Sequence, residues 1–357
     1  ADLENRGVML MGEPGTGKCV TSDTYLFTAR GMIRIGDLTP EFPAEDTTLP
    51  LEYVWVGSEA GAERAVEFYN GGVKPCRRVL TRRGFEVTGT LIHPVRVLRD
   101  GRSEWVRLSD VQIGDRLAIM TGMDLFAQSP ARLPEPEPRI YDRSRGRSSE
   151  TWFRPQPVVI PSEMSEELAE WLGWFIGEGT FNLKESVGFC NWDPAVVERM
   201  TDLTRTVFGL CMRRSSDHNY FIGSGILQRW LRRIGADGLA ADKRVPDAVL
   251  QSPESHQVAF LRALFEAEGC ISVRPHERAI ELATASKTMA RQVQIMLLNF
   301  GVVVARRTKV ATTKRWGQRT YWRLAISGQN VISFRERLGF MAGSEKQRTL
   351  ETLNETA

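Results

Sequence analysis

Cysteine is scarce and unpaired in this chain. Its five copies, at positions 19, 76, 190, 211 and 270, are odd in number and form no metal-ligand spacing, so neither a disulfide framework nor a zinc site is expected. Long apolar runs are missing too. No stretch approaches the roughly 20 residues that a bilayer span needs, and no basic region followed by a long apolar one opens the chain, so no membrane partner is expected and a cytoplasmic setting is the default. Charge of one sign is also lacking, the formal net charge being +3. Arginine nevertheless clusters locally, which matters more to a polyanionic partner than the sum does. What is present, 357 residues with 42% apolar and 25% charged, is ordinary for a globular protein of two or three domains and excludes disordered and fibrous classes.

The stretch "GEPGTGKC" reads as a phosphate-binding loop up to Lys18. That pattern requires Ser or Thr next, to ligate Mg²⁺, and then a helix. Cys19 stands there instead, and Val20 to Leu38 reads as short strands, "TYLFTA", a turn at Gly31, then "MIRIGDL". Strand-like segments recur to about residue 120, which predicts an all-β domain. Residues 129 to 157 are rich in Pro, Ser and Arg without a period, and read as a linker or exposed arm whose Arg139, Arg143, Arg145, Arg147 and Arg154 would extend a DNA footprint.

From Pro161 the texture is helical and duplicated. "LAEWLGWFIGEGTF" matches "VAFLRALFEAEGCI", "PAVVERMTDLTRTVFGLCMRR" matches "KTMARQVQIMLLNFGVVVARR", and "YFIGSGILQRWLRRIG" matches "YWRLAISGQNVISFRERLG". Matched pairs in the same order predict a pseudo-twofold α+β unit. Each repeat has an apolar helix ending in Glu-Gly, Glu178 and Glu268, with small residues at matched offsets, Gly173 and Gly177, Ala263 and Ala267. Spacing of four puts the small residues on one helical face, where two backbones approach closely and bring the acids together. Two adjacent carboxylates at negative helix ends suit a divalent cation, Mg²⁺, and metal-assisted phosphodiester hydrolysis. The strand-like "ARRTKVATTKRWGQRTYWR" supplies Arg306, Arg307, Lys309, Lys314, Arg315, Arg319 and Arg323 as candidates for binding DNA phosphates and reading its major groove.

On these residues, "WLGWFIGEG" and "FLRALFEAEG" resemble the paired motifs of LAGLIDADG homing endonucleases, and "DKRVPDAVL" resembles that family's intervening block, in which Lys243 would assist the chemistry. Both acids are Glu where Asp is more usual. "CVTSDTYLFT" resembles the first splicing block of inteins and "VTGTLIHPVRV" the second, with Thr90 and His93 in its Thr-x-x-His pattern, followed by "VQIGDRLAI". The resemblance covers residues 19 to about 345. It implies a multidomain protein: an all-β Hedgehog/intein-type splicing domain over 19–128, a linker or DNA-contacting arm over 129–160, an α+β pseudo-twofold LAGLIDADG endonuclease domain over 161–345 and a tail over 346–357. Residues 1–18 would be host sequence, similar to the nucleotide-binding loop of an AAA+ ATPase such as a Lon-type protease.

The implied chemistry assigns Cys19 as the nucleophile on the Lys18 carbonyl, His93 as the proton donor to the departing nitrogen and Thr90 as a hydrogen-bond partner of the scissile peptide. Splicing needs no cofactor; the endonuclease would use Mg²⁺ held by Glu178 and Glu268. The implied partner is double-stranded DNA, a non-palindromic site in the uninterrupted host gene, met by a monomer. The chain ends "EKQRTLETLNETA", and Asn354 is not preceded by His, so the C-terminal splicing blocks are read as absent, through truncation, processing or a natural split that needs a complementary C-terminal fragment. Two alternatives stand beside this reading: a splicing element with an inactive DNA-binding remnant, and an ordinary P-loop ATPase whose nucleotide affinity depends on Lys18.

Overall fold

The computed structural model describes residues 6–11, 19–137, 157–181, 183–274, 277–313 and 317–353. Residues 12–18, the linker arginines from Arg139 to Arg154, Lys314, Arg315 and Asn354 lie outside them.

The N-terminal part is built of strands: β1 (Arg6–Met11), β2 (Val20–Thr21), β3 (Tyr25–Thr28), β4 (Gly31–Arg34), β5 (Thr47–Ser58), β6 (Gly61–Val73), β7 (Cys76–Leu80), β8 (Glu86–Thr90), β9 (Pro94–Arg99), β10 (Arg102–Arg107) and β11 (Arg116–Leu117). The first eight form one sheet in the order β4-β3-β5-β6-β1-β2-β8-β7, and the last three a second sheet centred on β9. Alternation of apolar and polar residues packs Val20, Ile33, Leu51, Val54 and Phe68 into a small core of this part.

The C-terminal part repeats one plan. Its first copy runs α1 (Glu166–Glu178), β12 (Gly179–Thr180), β13 (Val187–Cys190), α2 (Pro194–Phe208), β14 (Arg213–Arg214), β15 (Asn219–Ile222) and α3 (Gly225–Arg233). After the short α4 (Asp247–Leu250), the second runs α5 (Glu254–Glu268), β16 (Gly269–Arg274), β17 (Glu277–Thr284), α6 (Lys287–Asn299), β18 (Ala305–Thr313), β19 (Gly317–Ser327) and α7 (Gln329–Arg337), followed by α8 (Glu345–Glu351). The two four-stranded sheets have the same order, β12-β13-β15-β14 and β16-β17-β19-β18. Each pair of matched sequence segments therefore lies on matched elements. Ser165 caps α1 by accepting from the Leu168 amide, with Glu166 and Glu167 in the first turn where acids favour the helix dipole. Trp171, Phe175, Phe260 and Phe265 of α1 and α5 sit in the main core.

Most of the described part of 129–160 is exposed, but it is anchored to the protein around Leu133. Leu133 is buried, its amide donates to the Ser162 carbonyl at 2.8 Å, and the Trp230 indole donates to the Pro134 carbonyl at 2.9 Å. Low periodicity signalled irregular backbone here; apolar side chains still found a surface to cover.

The two parts meet through specific polar contacts. Arg291 of α6 pairs with Asp23 at 2.5 Å, Gln292 donates to the Tyr25 hydroxyl at 3.1 Å, and Arg306 donates to the Gly84 carbonyl at 2.7 Å. Gly31 (φ +94°) packs against the backbone of α4, where an added β-carbon would lie 2.4 Å from the Leu250 oxygen.

Candidate functional site

Helices α1 and α5 lie face to face along their small residues. A β-carbon on Gly173 would fall 2.4 Å from the Phe260 oxygen and 2.8 Å from the Ala263 β-carbon; one on Gly177 would fall 2.6 Å from the Ala267 β-carbon and 3.4 Å from the Glu268 Cγ. Such distances exclude any side chain on α1 at these two positions. The close approach brings the acids at the helix ends together.

Glu178 is half-buried and Glu268 opens to solvent. Protein packed around each carboxyl still removes enough water to push both above the ordinary range, and the Glu268 charge pushes Glu178 further the same way. Lys243 opposes this. Its ammonium donates to the Ile176 oxygen at 2.6 Å and the Gly177 oxygen at 2.9 Å, neutralising the negative end of α1. Burial lowers the Lys243 pKa while the two glutamates raise it back.

Lys346 is a residue that the sequence reading missed. From α8 it donates to the Glu266 carbonyl, and its charge works against the rise of both glutamate pKa values, standing to α5 as Lys243 stands to α1. Each lysine follows its own repeat in the chain, a parallel of order that was legible although no motif surrounds Lys346.

Two carboxylates form a small donor set, and no group of three or more metal-ligating side chains occurs among the described residues. That set fits a hard cation such as Mg²⁺, which keeps several waters and takes one or two carboxylates together with a substrate phosphate. Two carboxyls held together with raised pKa values form an electrostatic strain that a bound cation would relieve.

The basic strands are split by the pleat. On β18, Arg306 pairs in register with Leu324, which is fully buried, whereas Arg307 pairs with Arg323 and Lys309 with Tyr321 on the opposite face. Arg306 is accordingly not on a DNA-facing surface. It is 5% exposed, donates to Gln294 Oε1 at 3.0 Å, and pairs with Glu86 at 3.2 Å. Burial lowers its pKa. Alternation from Val302 and Val304 was the signal available in the sequence. Arg307, Lys309, Arg319 and Arg323 are exposed, Arg323 being ion-paired with Glu281.

A second site lies in the β-rich part. Cys19 is 4% exposed, immediately before β2. Val20 pairs with Gly89 of β8, so Cys19 stands beside Thr90. The Thr90 amide donates to the Cys19 carbonyl at 2.9 Å, and its hydroxyl reaches the same oxygen at 3.5 Å. These bonds go to the carbonyl of Cys19 itself; Lys18, whose carbonyl belongs to the peptide before Cys19, lies outside the described residues, and the expected contact of Thr90 with that peptide lies there with it. The His93 amide donates to the Thr90 carbonyl at 2.9 Å, closing the turn that brings the His93 β-carbon beside Gly89. Gly89 is a further missed residue: a β-carbon there would lie 2.8 Å from the Cys19 oxygen and 3.2 Å from the His93 β-carbon. Burial pushes the Cys19 thiol up, with Cys76 adding to the rise, so the resting group is the neutral thiol.

An α+β unit of two matched halves with acids paired at its dyad is thus the architecture of the C-terminal part. Residues 255–339, from α5 through α7, match the family model described as a LAGLIDADG-like domain. Among curated relatives, the replication factor C small subunit of Methanocaldococcus jannaschii is 27% identical over 98% of this chain and 17% of its own length. A DNA gyrase subunit of Mycobacterium kansasii is 28% identical over 81% of this chain and 49% of its own. The chain thus spans less than half the length of these relatives. A solved structure, the homing endonuclease I-WcaI bound to its DNA recognition sequence, aligns over 52% of this chain and 86% of its own at 13% identity and a TM-score of 0.35. Among the described residues no helix is long and apolar enough to cross a membrane.

Proposed function

We propose that this chain is the splicing-initiating portion of an intein, residues 19–128, joined to a site-specific LAGLIDADG DNA endonuclease, residues 161–345, with residues 1–18 belonging to a host P-loop ATPase. The observation that carries the endonuclease reading is the convergence of Glu178 and Glu268 at the ends of two helices packed through Gly173 and Gly177, with a lysine on each helix end. Mg²⁺ held by the two glutamates would supply charge stabilisation and an acidified water for phosphodiester hydrolysis. Around it, Lys243 and Lys346 hold the helix ends and offset the glutamate charge, while Arg307, Lys309, Arg319 and Arg323 position duplex DNA. Because the halves differ in sequence, one chain presents two unlike surfaces and would read a non-palindromic site.

The splicing reading is supported by the placement of Cys19, Thr90 and His93 at one point, β2 against β8. Cys19 Sγ attacks the Lys18 carbonyl, the bond to the Cys19 nitrogen breaks, His93 protonates that nitrogen, and the thiol proton is released, which leaves a thioester. The Thr90 amide anchors Cys19 while the bond before it is exchanged. Relatives whose names differ as much as DNA gyrase does from replication factor C share similarity with most of this chain, which supports an element found in unrelated hosts. Completion of splicing would require a C-terminal splicing segment, in the same chain or supplied as a separate fragment.

Intact mass measurement after incubation with a thiol tests the splicing half. Release of the segment ending at Lys18, lost in Cys19→Ala, is the expected result. No release from folded protein would reject it. Nicking of plasmid bearing the uninterrupted host gene, with and without Mg²⁺, tests the endonuclease half. DNA binding without nicking would favour the inactive remnant.

A further inference from the structure

The turn between β7 and β8 is fastened to the second half of the α+β part. Thr81 and Phe85 close it through the Thr81 amide and the Phe85 carbonyl at 2.8 Å, and Gly84 takes φ +83°. The Arg306 amide donates to the Arg83 carbonyl at 2.8 Å, and Gln294 donates to the same oxygen at 3.0 Å. A β-carbon on Gly84 would lie 2.4 Å from the Arg306 oxygen, so the turn sits on the backbone of β18, the edge strand of its sheet. Its arginines consequently stand beside the strand that carries Arg307 and Lys309.

Arg77, Arg78, Arg82, Arg83 and Arg116 line a groove of about 770 Å³ on this part of the molecule. Asp115 is the single acid among its lining residues, and it is engaged: Arg99 holds it at 2.6 Å and depresses its pKa to about 2. Arg77 is fixed by the Val111 carbonyl at 3.0 Å, and Arg78 by Glu86. Arg82, Arg83 and Arg116 are exposed, and their guanidinium groups have no partner among the described residues. A concave surface with several uncommitted guanidinium forks and one neutralised acid suits phosphodiester oxygens, which accept such forks in pairs.

We propose that this groove is a second phosphate-binding surface, which takes the backbone of a DNA duplex continuing past the basic face of β18 and β19. The proposal rests on the DNA-binding reading above. A duplex carries one charge per ~1.7 Å of axis, so each arginine that meets a phosphate releases counterion and adds about 0.9 to the salt slope of binding.

The test compares two variants of the full chain, R82Q/R83Q/R116Q and R307Q/K309Q, by fluorescence anisotropy across a KCl series with duplexes of about 20 and about 40 base pairs. The groove variant is expected to lower the salt slope on the longer duplex by about 2 to 3 and to weaken binding at low salt by about 10-fold or more, with a smaller change on the shorter one. The strand variant should weaken both lengths. Unchanged thermal melting is expected for the groove variant, since the guanidinium groups it removes hold no partner among the described residues. A groove variant that matches wild type on the longer duplex, while the strand variant is weakened, overturns the groove and leaves the DNA-binding reading standing. If wild type fails to bind either duplex, that reading falls and the groove with it. Loss of inorganic phosphate binding in the groove variant, without any change on DNA, would also overturn the proposal.

Discussion

The two halves of the α+β part solve one packing problem in unlike ways. On α1 the crossing is made by Gly173 and Gly177, while α5 presents Ala263 and Ala267 in the facing places, and the distances leave no room for a methyl on both helices. Methyl groups are thus present on one side because they are absent from the other. The helix ends differ as well. Lys243 reaches two carbonyls of α1 from the segment before α4, and Lys346 reaches one carbonyl of α5 from α8. The last two strands of each half differ most: β14 and β15 span 2 and 4 residues, β18 and β19 span 9 and 11. Duplicated elements keep their order and their contact at the dyad, where shape is constrained, and diverge in the strands proposed to meet DNA.

The largest effect that would break this equivalence is catalytic. Glu178→Gln and Glu268→Gln should each reduce Mg²⁺-dependent nicking by at least about 10²-fold while leaving DNA binding intact, since each removes half of the carboxylate pair. If one variant cuts as well as wild type in a nicking assay, the halves are not equivalent and only one acid matters.

Next in size is the helix crossing. Gly173→Val should cost about 1–3 kcal/mol, read as a lower Tm, because the added carbons meet the Phe260 carbonyl. Ala263→Gly should cost only about 1 kcal/mol, the helix-propensity difference. Equal losses would show that the crossing is not set by the asymmetry. At the helix ends, Lys243→Met should destabilise by about 1–3 kcal/mol, leaving two carbonyls of α1 without their donor, and Lys346→Met should cost less.

A smaller effect sharpens the electrostatics. Both glutamates have folded pKa values above the ordinary 4.5, so the folded state binds more protons than the unfolded one between that value and the raised ones. Stability from these groups is therefore highest at low pH and falls as pH rises through that window. A chemical-denaturation series should show this slope in wild type without divalent cation, and a reduced slope in either Gln variant. Smallest is a local contrast of thiols. Iodoacetamide should modify exposed Cys211 and Cys270 well before Cys19, whose burial excludes the reagent and disfavours the thiolate.

Much of this architecture was legible because periodicity is local. The strand run after Cys19, the duplicated helices and the small-residue offsets are patterns within a few residues, and each maps onto an element or a contact. Arg306 escapes a reading that treats the charge run as one surface, because a strand sends alternate residues to opposite faces; the buried Val304 two positions earlier marks its side. The motif brings Thr90 near Cys19, and the strand register directs its amide to the Cys19 carbonyl, a contact the motif does not specify. The segment before residue 138 reads as an arm because composition does not report what surface lies beneath it.

The sequence by itself determined the strand-rich first part, the two copies of one helix and sheet plan, and the pair of acids at matching helix ends, since these follow from side-chain period and from repetition. Only the tertiary structure decided that Lys346 completes the pair begun by Lys243, that Arg306 ties the two parts together, and that the turn bearing Arg82 and Arg83 lies on the edge of β18. Those depend on contacts between residues far apart in the chain, where packing and hydrogen-bond geometry select the partner and local pattern carries no record of the choice.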